Sequence, residues 1–227
     1  MKSLSEAHQA ALVLIGSFGY LAARDLAQLG WPHMTPNVAM VTAQNATKKL
    51  VSLGFLFAKV SELDNLTRLY VLTNNGAEYL NREYEEAWGT HTPGQMLWFR
   101  NGHNVSTTLT QVPRQPLIAL LHVMARETSL TPIGQRALAR GFLGLGAHAH
   151  FEAGLLDEDG ELQLGCYVAH SATGASTGCV KKLALQHTPF LIAAHRPSQL
   201  RALVASRRSV NPEMGALIST RFPGLLA

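Results

Sequence analysis

Two cysteines in 227 residues are too few for a disulfide framework. Cys166 and Cys179 are therefore read as thiols, and a reducing cytoplasm as the expected compartment. No apolar run reaches the roughly 18 residues that a bilayer span needs, so no membrane partner is expected. The apolar stretch Ala10 to Ile15 is short. It follows Glu6 and His8 instead of a basic segment, which argues against a secretory signal. Charged residues make up only 15% of the chain against 47% hydrophobic, a balance that excludes a disordered polyelectrolyte. Internal repeats and low-complexity tracts are absent as well. Neither sign of charge dominates: 19 Lys and Arg against 15 Asp and Glu leave +4. That is a mild preference for a polyanion, far short of a histone-like excess.

The chain is long enough for one or two domains. Ser3 or Ser5 can cap a first helix, and Ser3 with Glu6 fits a capping box. Ala10, Leu12, Val13, Leu14 and Ile15 supply its apolar side, and Gly16 is the expected stop. Tyr20 to Leu29 repeats Leu21, Leu26 and Leu29 at helical spacing, and Gly30-Trp31-Pro32 ends it. Thr35 followed by Pro36 is a cap and first-turn signal for a third helix. Val38, Val41, Leu50 and Leu53 are expected to face its core. Thr42, Gln44, Asn45, Thr47, Lys48 and Lys49 then form a surface of amides, hydroxyls and lysines with no acid. Amides and hydroxyls can read base edges, and lysines meet phosphates. An ordinary solvated helix face carries the same residue types, so position in the motif is what favours recognition.

After Gly54, two short runs follow, Phe55 to Val60 and Arg68 to Thr73. Phe55, Phe57, Leu69 and Val71 alternate with period two. Lys59, Asn65 and Arg68 fall at or near the tip of this ribbon, within reach of a DNA backbone or minor groove. Asn74-Asn75-Gly76 reads as a turn and Ala77 to Trp88 as a helix. Helix, turn, helix and ribbon is the order of a winged helix-turn-helix, which makes double-stranded DNA the expected partner of residues 1–88. One such module reads only a short half-site, so a homodimer is expected.

Residues 89–112 are the linker candidate, led by Gly89 to Gly94. Leu117 to Arg126 reads as a buried helix. Thr131-Pro132 repeats the cap-then-proline signal and predicts a helix through Ala139. From Ala147 the texture changes to strands. Ala147 to Leu156 and Glu161 to His170 are joined by the hairpin turn Asp157-Glu158-Asp159-Gly160. A small-residue loop, Ser171 to Gly178, leads to a helix from Cys179 to Gln186. The strand Pro189 to Ala194, a helix from Pro197 to Ser206 and a last helix after Asn211-Pro212 complete the chain. Residues 113–227 thus read as a small mixed-sheet α/β domain, and the whole chain as α+β. Arg201, Arg207 and Arg208, with Arg196, form the densest basic cluster and are candidates for phosphate contact. His148 and His150 share a strand face, with His170, His187, His195 or Cys166 as possible neighbours. Their spacing matches no zinc motif, so no metal and no cofactor are assigned.

The segments Tyr20 to Ala27 (Tyr-Leu-Ala-Ala-Arg-Asp-Leu-Ala), Leu50 to Leu56 (Leu-Val-Ser-Leu-Gly-Phe-Leu) and Arg68 to Thr73 with Gly76 carry a resemblance. They resemble the winged-helix part of the plasmid replication–relaxation family, which is itself similar to one class of conjugative relaxases. The resemblance implies a second half like a restriction-endonuclease fold, and the order from Ala147 to Ala205 fits it. Such a nuclease needs one acid on the first hairpin strand and an acid with a lysine on or near the second, to hold a divalent metal and activate water. Glu152 can take the first place, and Lys181 or Lys182 the lysine's. The second strand, Gly165-Cys166-Tyr167-Val168-Ala169-His170, has no carboxylate. The expectation is a nuclease-like domain without its metal site.

Three readings follow. The first is a non-catalytic, sequence-specific DNA-binding protein of a mobile element, acting in plasmid replication, as a relaxosome accessory or in transcriptional control. The second is a relaxase or metal-dependent nickase using Glu152, Lys181, Lys182 or a tyrosine among Tyr20, Tyr70, Tyr79, Tyr84 and Tyr167. The third is a scaffold whose α/β half binds other relaxosome or replication proteins. The missing carboxylate favours the first over the second.

Overall fold

The computed structural model describes residues 4–61, 66–88, 114–140, 151–169 and 190–194. They form a mixed α+β structure with two small sheets.

The first helix, α1, runs Glu6–Phe18 and carries Gly16 inside its buried side. The stop is Gly19 instead. It sits at φ 84°, and its N–H donates to Gly16 O at 3.2 Å. A left-handed backbone at the residue after a helix suits glycine, which lacks the Cβ that would clash there. Tyr20 to Leu29 is not one helix. Leu21–Ala22 form a short strand, β1, paired with Tyr70 and Leu69, and α2 covers only Ala23–Gly30. Cross-strand partners for the backbones of Leu21 and Ala22 override the helical period of the leucines. The third helix, α3, spans Pro36–Ser52 with Thr35 at the N-cap and Pro36 in the first turn, where a missing N–H costs nothing.

Strands β2 (Leu56–Ser61) and β3 (Thr67–Leu72) pair antiparallel from Leu56↔Leu72 to Ser61↔Thr67. The sheet order is β1-β3-β2. On β2 Leu56 is buried and Phe57 points outward at 44% exposed, against the expected alternation, while Val60 is exposed and Ser61 buried, so the strand does not alternate strictly. Helix α4 (Asn74–Trp88) also starts earlier than the turn reading of Asn74-Asn75-Gly76. Thr73 caps it: its Oγ1 accepts from Gly76 N–H at 3.1 Å and donates to Gly54 O at 2.6 Å. Gly76 belongs to that first turn because a Cβ there would lie 2.2 Å from Phe55 O.

Helix α5 (Gln115–Glu127) takes Pro116 into its first turn. Thr131-Pro132 does not open a helix. Thr131–Gly134 is strand β4, and α6 begins only at Gln135–Arg140. β4 is the outer strand of the order β4-β5-β6-β7, where a proline without an N–H is tolerated. Strands β5 (Ala153–Leu156) and β6 (Leu162–Ala169) form the expected antiparallel hairpin, and β7 (Phe190–Ala194) pairs parallel to β6. At the hairpin tip Asp157 Oδ1 accepts from the backbone N–H groups of Asp159 (3.1 Å) and Glu161 (2.8 Å), with Gly160 at φ 80°. The acid-rich turn is thus held by its own first carboxylate.

One buried cluster runs through both sheets, from Leu12 and Ile15 of α1 through Leu50 and Leu80 to Leu121, Leu155 and Leu164. Polar contacts bind the two halves as well. Gly134 N–H donates to Ser17 Oγ (3.2 Å), which in turn donates to Leu14 O (3.0 Å). A Cβ on Gly134 would stand 2.5 Å from Ser17 O, so β4 lies directly against the last turn of α1. Arg114, just before α5, donates through Nη1 to Phe18 O (3.0 Å) and Tyr20 O (3.3 Å), and its guanidinium lies 4.0 Å from the Tyr20 ring centre. His122 of α5 bonds through Nδ1 to Gln28 O of α2 at 2.8 Å.

Several expectations lie outside the described residues. They are Ser3, the linker, residues 147–150 with His148 and His150, His170, the loop 171–178, the helix from Cys179, His187, His195, the helix 197–206 and the last helix.

Candidate nucleic-acid interface

The buried side of α3 is a stripe of small residues, Ala39, Ala43 and Ala46, completed by Leu50. Spacings of four, three and four keep them on one face, and their small side chains let α3 approach α1 and α2, both of which it touches. This overturns the expected core face. Val38, Val41 and Leu53 are 53%, 55% and 41% exposed, and of the four residues expected inside only Leu50 is buried. Alanine and valine are both apolar, so periodicity alone does not say which stripe packs.

The outward face therefore carries Val38, Val41, Thr42, Asn45, Lys48, Lys49 and Ser52, with Gln44 at its edge. Gln44, Asn45, Lys48 and Lys49 are exposed, and Thr42 is half-buried with its hydroxyl donated to Val38 O at 2.9 Å. Thr47 does not belong to this face. It is fully buried, and its Oγ1 donates to Ala43 O (2.9 Å) and is within 3.1 Å of Gln44 O. A hydroxyl satisfied by its own helix can occupy the core without a desolvation penalty. From Leu26 to Ser61 the sequence contains no Asp or Glu, so nothing on α3 or the strand after it opposes an anion.

On the ribbon, Lys59 is half-buried on β2 opposite Leu69, and Arg68 is exposed on β3 opposite Val60. Both strands lead toward residues 62–65. Leu66, where the chain re-enters β3, is 71% exposed at φ 60°. Asn65, Arg201, Arg207, Arg208, Lys181 and Lys182 lie outside the described residues.

The enzymatic candidates that are described have structural surroundings. Glu152 is half-buried just before β5, with its backbone N–H donated to Cys166 O at 2.9 Å. Its charge acts on Arg114. Burial pushes the Arg114 guanidinium below its ordinary pKa, against the opposing pull of Tyr20, Glu152 and Asp25. A carboxylate in the field of a fixed guanidinium has part of its attraction for a metal ion already neutralised. Tyr70 and Tyr79 are buried, and Tyr79 Oη accepts from Leu4 N–H at 3.4 Å and from Gln9 Nε2 at 3.5 Å. Cys166 is a fully buried free thiol, and burial pushes its pKa up to about 12. Among the described residues no three His, Cys, Asp or Glu side chains lie close enough to hold a metal ion. Among them, too, no helix is long and apolar enough to cross a membrane.

Sequence reasoning missed Arg114, whose role depends on carbonyls almost a hundred positions earlier. It also missed the outward valines, whose signal was the competing alanine stripe.

Compared with family models, curated proteins and solved structures, the chain matches none.

Proposed function

We propose that the chain is a sequence-specific, non-catalytic protein that binds double-stranded DNA by laying the outer face of α3 in the major groove. The observation that carries this reading is an exposed, acid-free face at groove-reading spacing: Val38, Val41, Asn45 and Lys48 recur every three or four residues, with Lys49 four after Asn45. The order α1-β1-α2-α3-β2-β3 with β3 between β1 and β2 supports it, being that of a winged helix whose ribbon flanks the recognition helix. Asn45 stands at the centre of the face and is suited to adenine N6 and N7. Val38 and Val41 beside it are suited to thymine methyls, and the lysines to phosphates. Arginine is absent from α3, so the commonest contact to guanine is not available there. The half-site is therefore expected to contain A·T steps. Lys59 and Arg68 are assigned to the backbone beside the groove, and a homodimer to a two-half-site target. The second half is assigned a non-cleaving role in a degenerate nuclease-like fold. The setting of plasmid replication or relaxosome assembly rests on the resemblance of the first half.

The test is selection of bound duplexes from a random library, followed by gel-shift titrations at several salt concentrations. Lys48→Ala should weaken binding to all sequences and reduce the salt slope by about one. Asn45→Ala should relax preference at one or two base pairs, at roughly 1–3 kcal/mol each. Enrichment of no motif, or equal behaviour of both variants and wild type on every duplex, would remove α3 as the reader. Magnesium-dependent nicking of supercoiled plasmid by wild type, lost in Glu152→Ala, would instead establish the enzymatic reading.

A further inference from the structure

A cleft of about 400 Å³ opens between α2, the α2–α3 turn and α5, away from the outer face of α3. Its walls are mainly apolar, and Trp31, Met34 and Met40 are the largest apolar side chains among them. Arg24, His33, His122 and Arg126 supply its ionisable groups, Gln28 and Thr35 further polar ones, and the residues lining it include no carboxylate. Arg24 and Arg126 are exposed, so their charges are not spent on burial. The Nε of Arg24 lies 3.7 Å from Asp25 Oδ1, which steadies that side chain at the rim. His122 is oriented more firmly: Gln28 O can only accept, so Nδ1 carries the hydrogen at 2.8 Å and Nε2 is left for a second partner. An apolar enclosure of this size with a few convergent polar groups is the usual form of a small-molecule site. Here all the ionisable groups lining it are cationic or able to become so, and one aromatic plane accompanies them. That combination selects an anion attached to a flat body, not a bare ion and not a neutral ring.

We propose that this cleft binds a phosphate ester, with the phosphate between Arg24 and Arg126 and the attached sugar and base against Trp31 and Met40. Arginine's fork suits phosphate oxygens, and an aromatic plane suits a nucleobase. Two sources share this chemistry, a free mononucleotide and the phosphate of a DNA strand. The cleft is also a joint. α5 contributes His122 and Arg126 from the second half, while Thr35 and Pro36 from the start of α3 line the same space. A ligand held there bridges the second half to the base of α3, so its binding is coupled to any equilibrium in which α3 takes part.

Occupation of the cleft is independent of DNA reading by α3 and is measured first without DNA. Calorimetric titration of the full chain with AMP, inorganic phosphate and adenosine is the direct experiment. AMP should bind with a Kd below about 1 mM, and adenosine at least roughly tenfold more weakly. Arg126→Gln and Arg24→Gln should each weaken AMP by about tenfold; Arg126→Gln should do so with an unchanged melting temperature, since Arg126 is exposed, whereas Arg24→Gln also takes the ion-pair partner from buried Asp25 and should lower it. Arg126→Lys should recover part of the loss. AMP binding that is indifferent to both glutamine variants would place the nucleotide elsewhere and overturn the proposal. A second arm separates the sources on a selected duplex. Competition between AMP and DNA in wild type, lost in Arg126→Gln, identifies the strand's own phosphate as an occupant. AMP binding without competition identifies a free nucleotide. Absence of AMP binding together with wild-type DNA affinity and salt slope in Arg126→Gln overturns both. If no duplex is bound at all, the α3 reading has failed and the calorimetric arm alone decides the cleft.

Discussion

Replacing Arg114 by methionine tests whether one guanidinium ties the second half to the first. The methionine keeps most of the apolar stem and removes the donors and the charge. Two carbonyls, Phe18 O at 3.0 Å and Tyr20 O at 3.3 Å, lose a charged partner. Hydrogen bonds to charged groups contribute about 1.5–3 kcal/mol each, and the longer of these belongs at the lower end. The guanidinium 4.0 Å from the Tyr20 ring centre adds about 1–2 kcal/mol in a partly desolvated position. Against this stands the cost of burying the cation, which is recovered on its removal and amounts to several kcal/mol. Part of that gain is cancelled, because Asp25 and Glu152 lose the positive charge that acts between them. The net expectation is a loss of about 3 kcal/mol. For a chain of this size that corresponds to a fall of roughly 6–12 °C in melting temperature. Urea unfolding followed by far-ultraviolet circular dichroism at neutral pH measures it directly. Arg114→Lys should fall between methionine and wild type, because it keeps the charge and loses the fork. A double-mutant cycle with Tyr20→Leu should return a coupling near 1 kcal/mol. A methionine variant within about 0.5 kcal/mol of wild type, or a lysine variant equal to wild type, would refute the assignment of Arg114 as the anchor.

Other outcomes follow from the same geometry. Burial holds the Cys166 thiol at about 12, above the roughly 8.5 of an exposed cysteine, so the folded chain keeps a proton that the unfolded chain gives up. Its contribution is complete below pH 8.5 and is lost as pH rises from there through 12, by up to about 1.4 kcal/mol per unit. Cys166→Ala should flatten stability between pH 8.5 and 10.5 in paired urea titrations, and an identical slope in both chains would contradict the burial argument. Ala43→Leu adds bulk where α3 meets its neighbours with no exposed surface and should cost about 1–3 kcal/mol in the same assay; a neutral result would mean that α3 is not closely packed. If Val38 and Val41 cover thymine methyls, deoxyuridine in place of thymine in a selected site should weaken wild type about fourfold per covered methyl, from roughly 0.8 kcal/mol of buried methyl. The Val38→Ala,Val41→Ala chain should barely respond, and a wild type indifferent to the substitution would remove the valines from the groove.

Local signals located most of the elements. Thr35-Pro36 marked the start of α3, Gly54 its end, and Asp157 to Gly160 a hairpin, because caps, prolines and turn acids act on their own neighbours in the chain. The same kind of signal misled at Thr131-Pro132. A proline after threonine suits a helix start and an outer strand equally well, and only pairing with Leu155 and Leu156 separates them. Gly16 and Gly19 are equivalent as letters, yet only Gly19 takes the left-handed turn. On the candidate interface, Asn45, Lys48 and Lys49 were legible as a polar, acid-free surface, and the structure leaves them exposed.

What the chain determined by itself is what depends on residues within a turn or two: helix and hairpin positions, the absence of acid on α3, the α+β class. What only tertiary structure decided is which side of each element faces inward. Val38 and Val41 stand outside, and Thr47 inside, because α1 and α2 pack against the face that carries the alanines and the self-satisfied hydroxyl. The cleft between α2 and α5 and the seat of Arg114 depend on residues far apart in sequence, and no local pattern encodes a contact made across such a distance. Periodicity proposes an amphipathic face, but the packing partner chooses it, since burial free energy depends on what covers a side chain as well as on its own hydrophobicity.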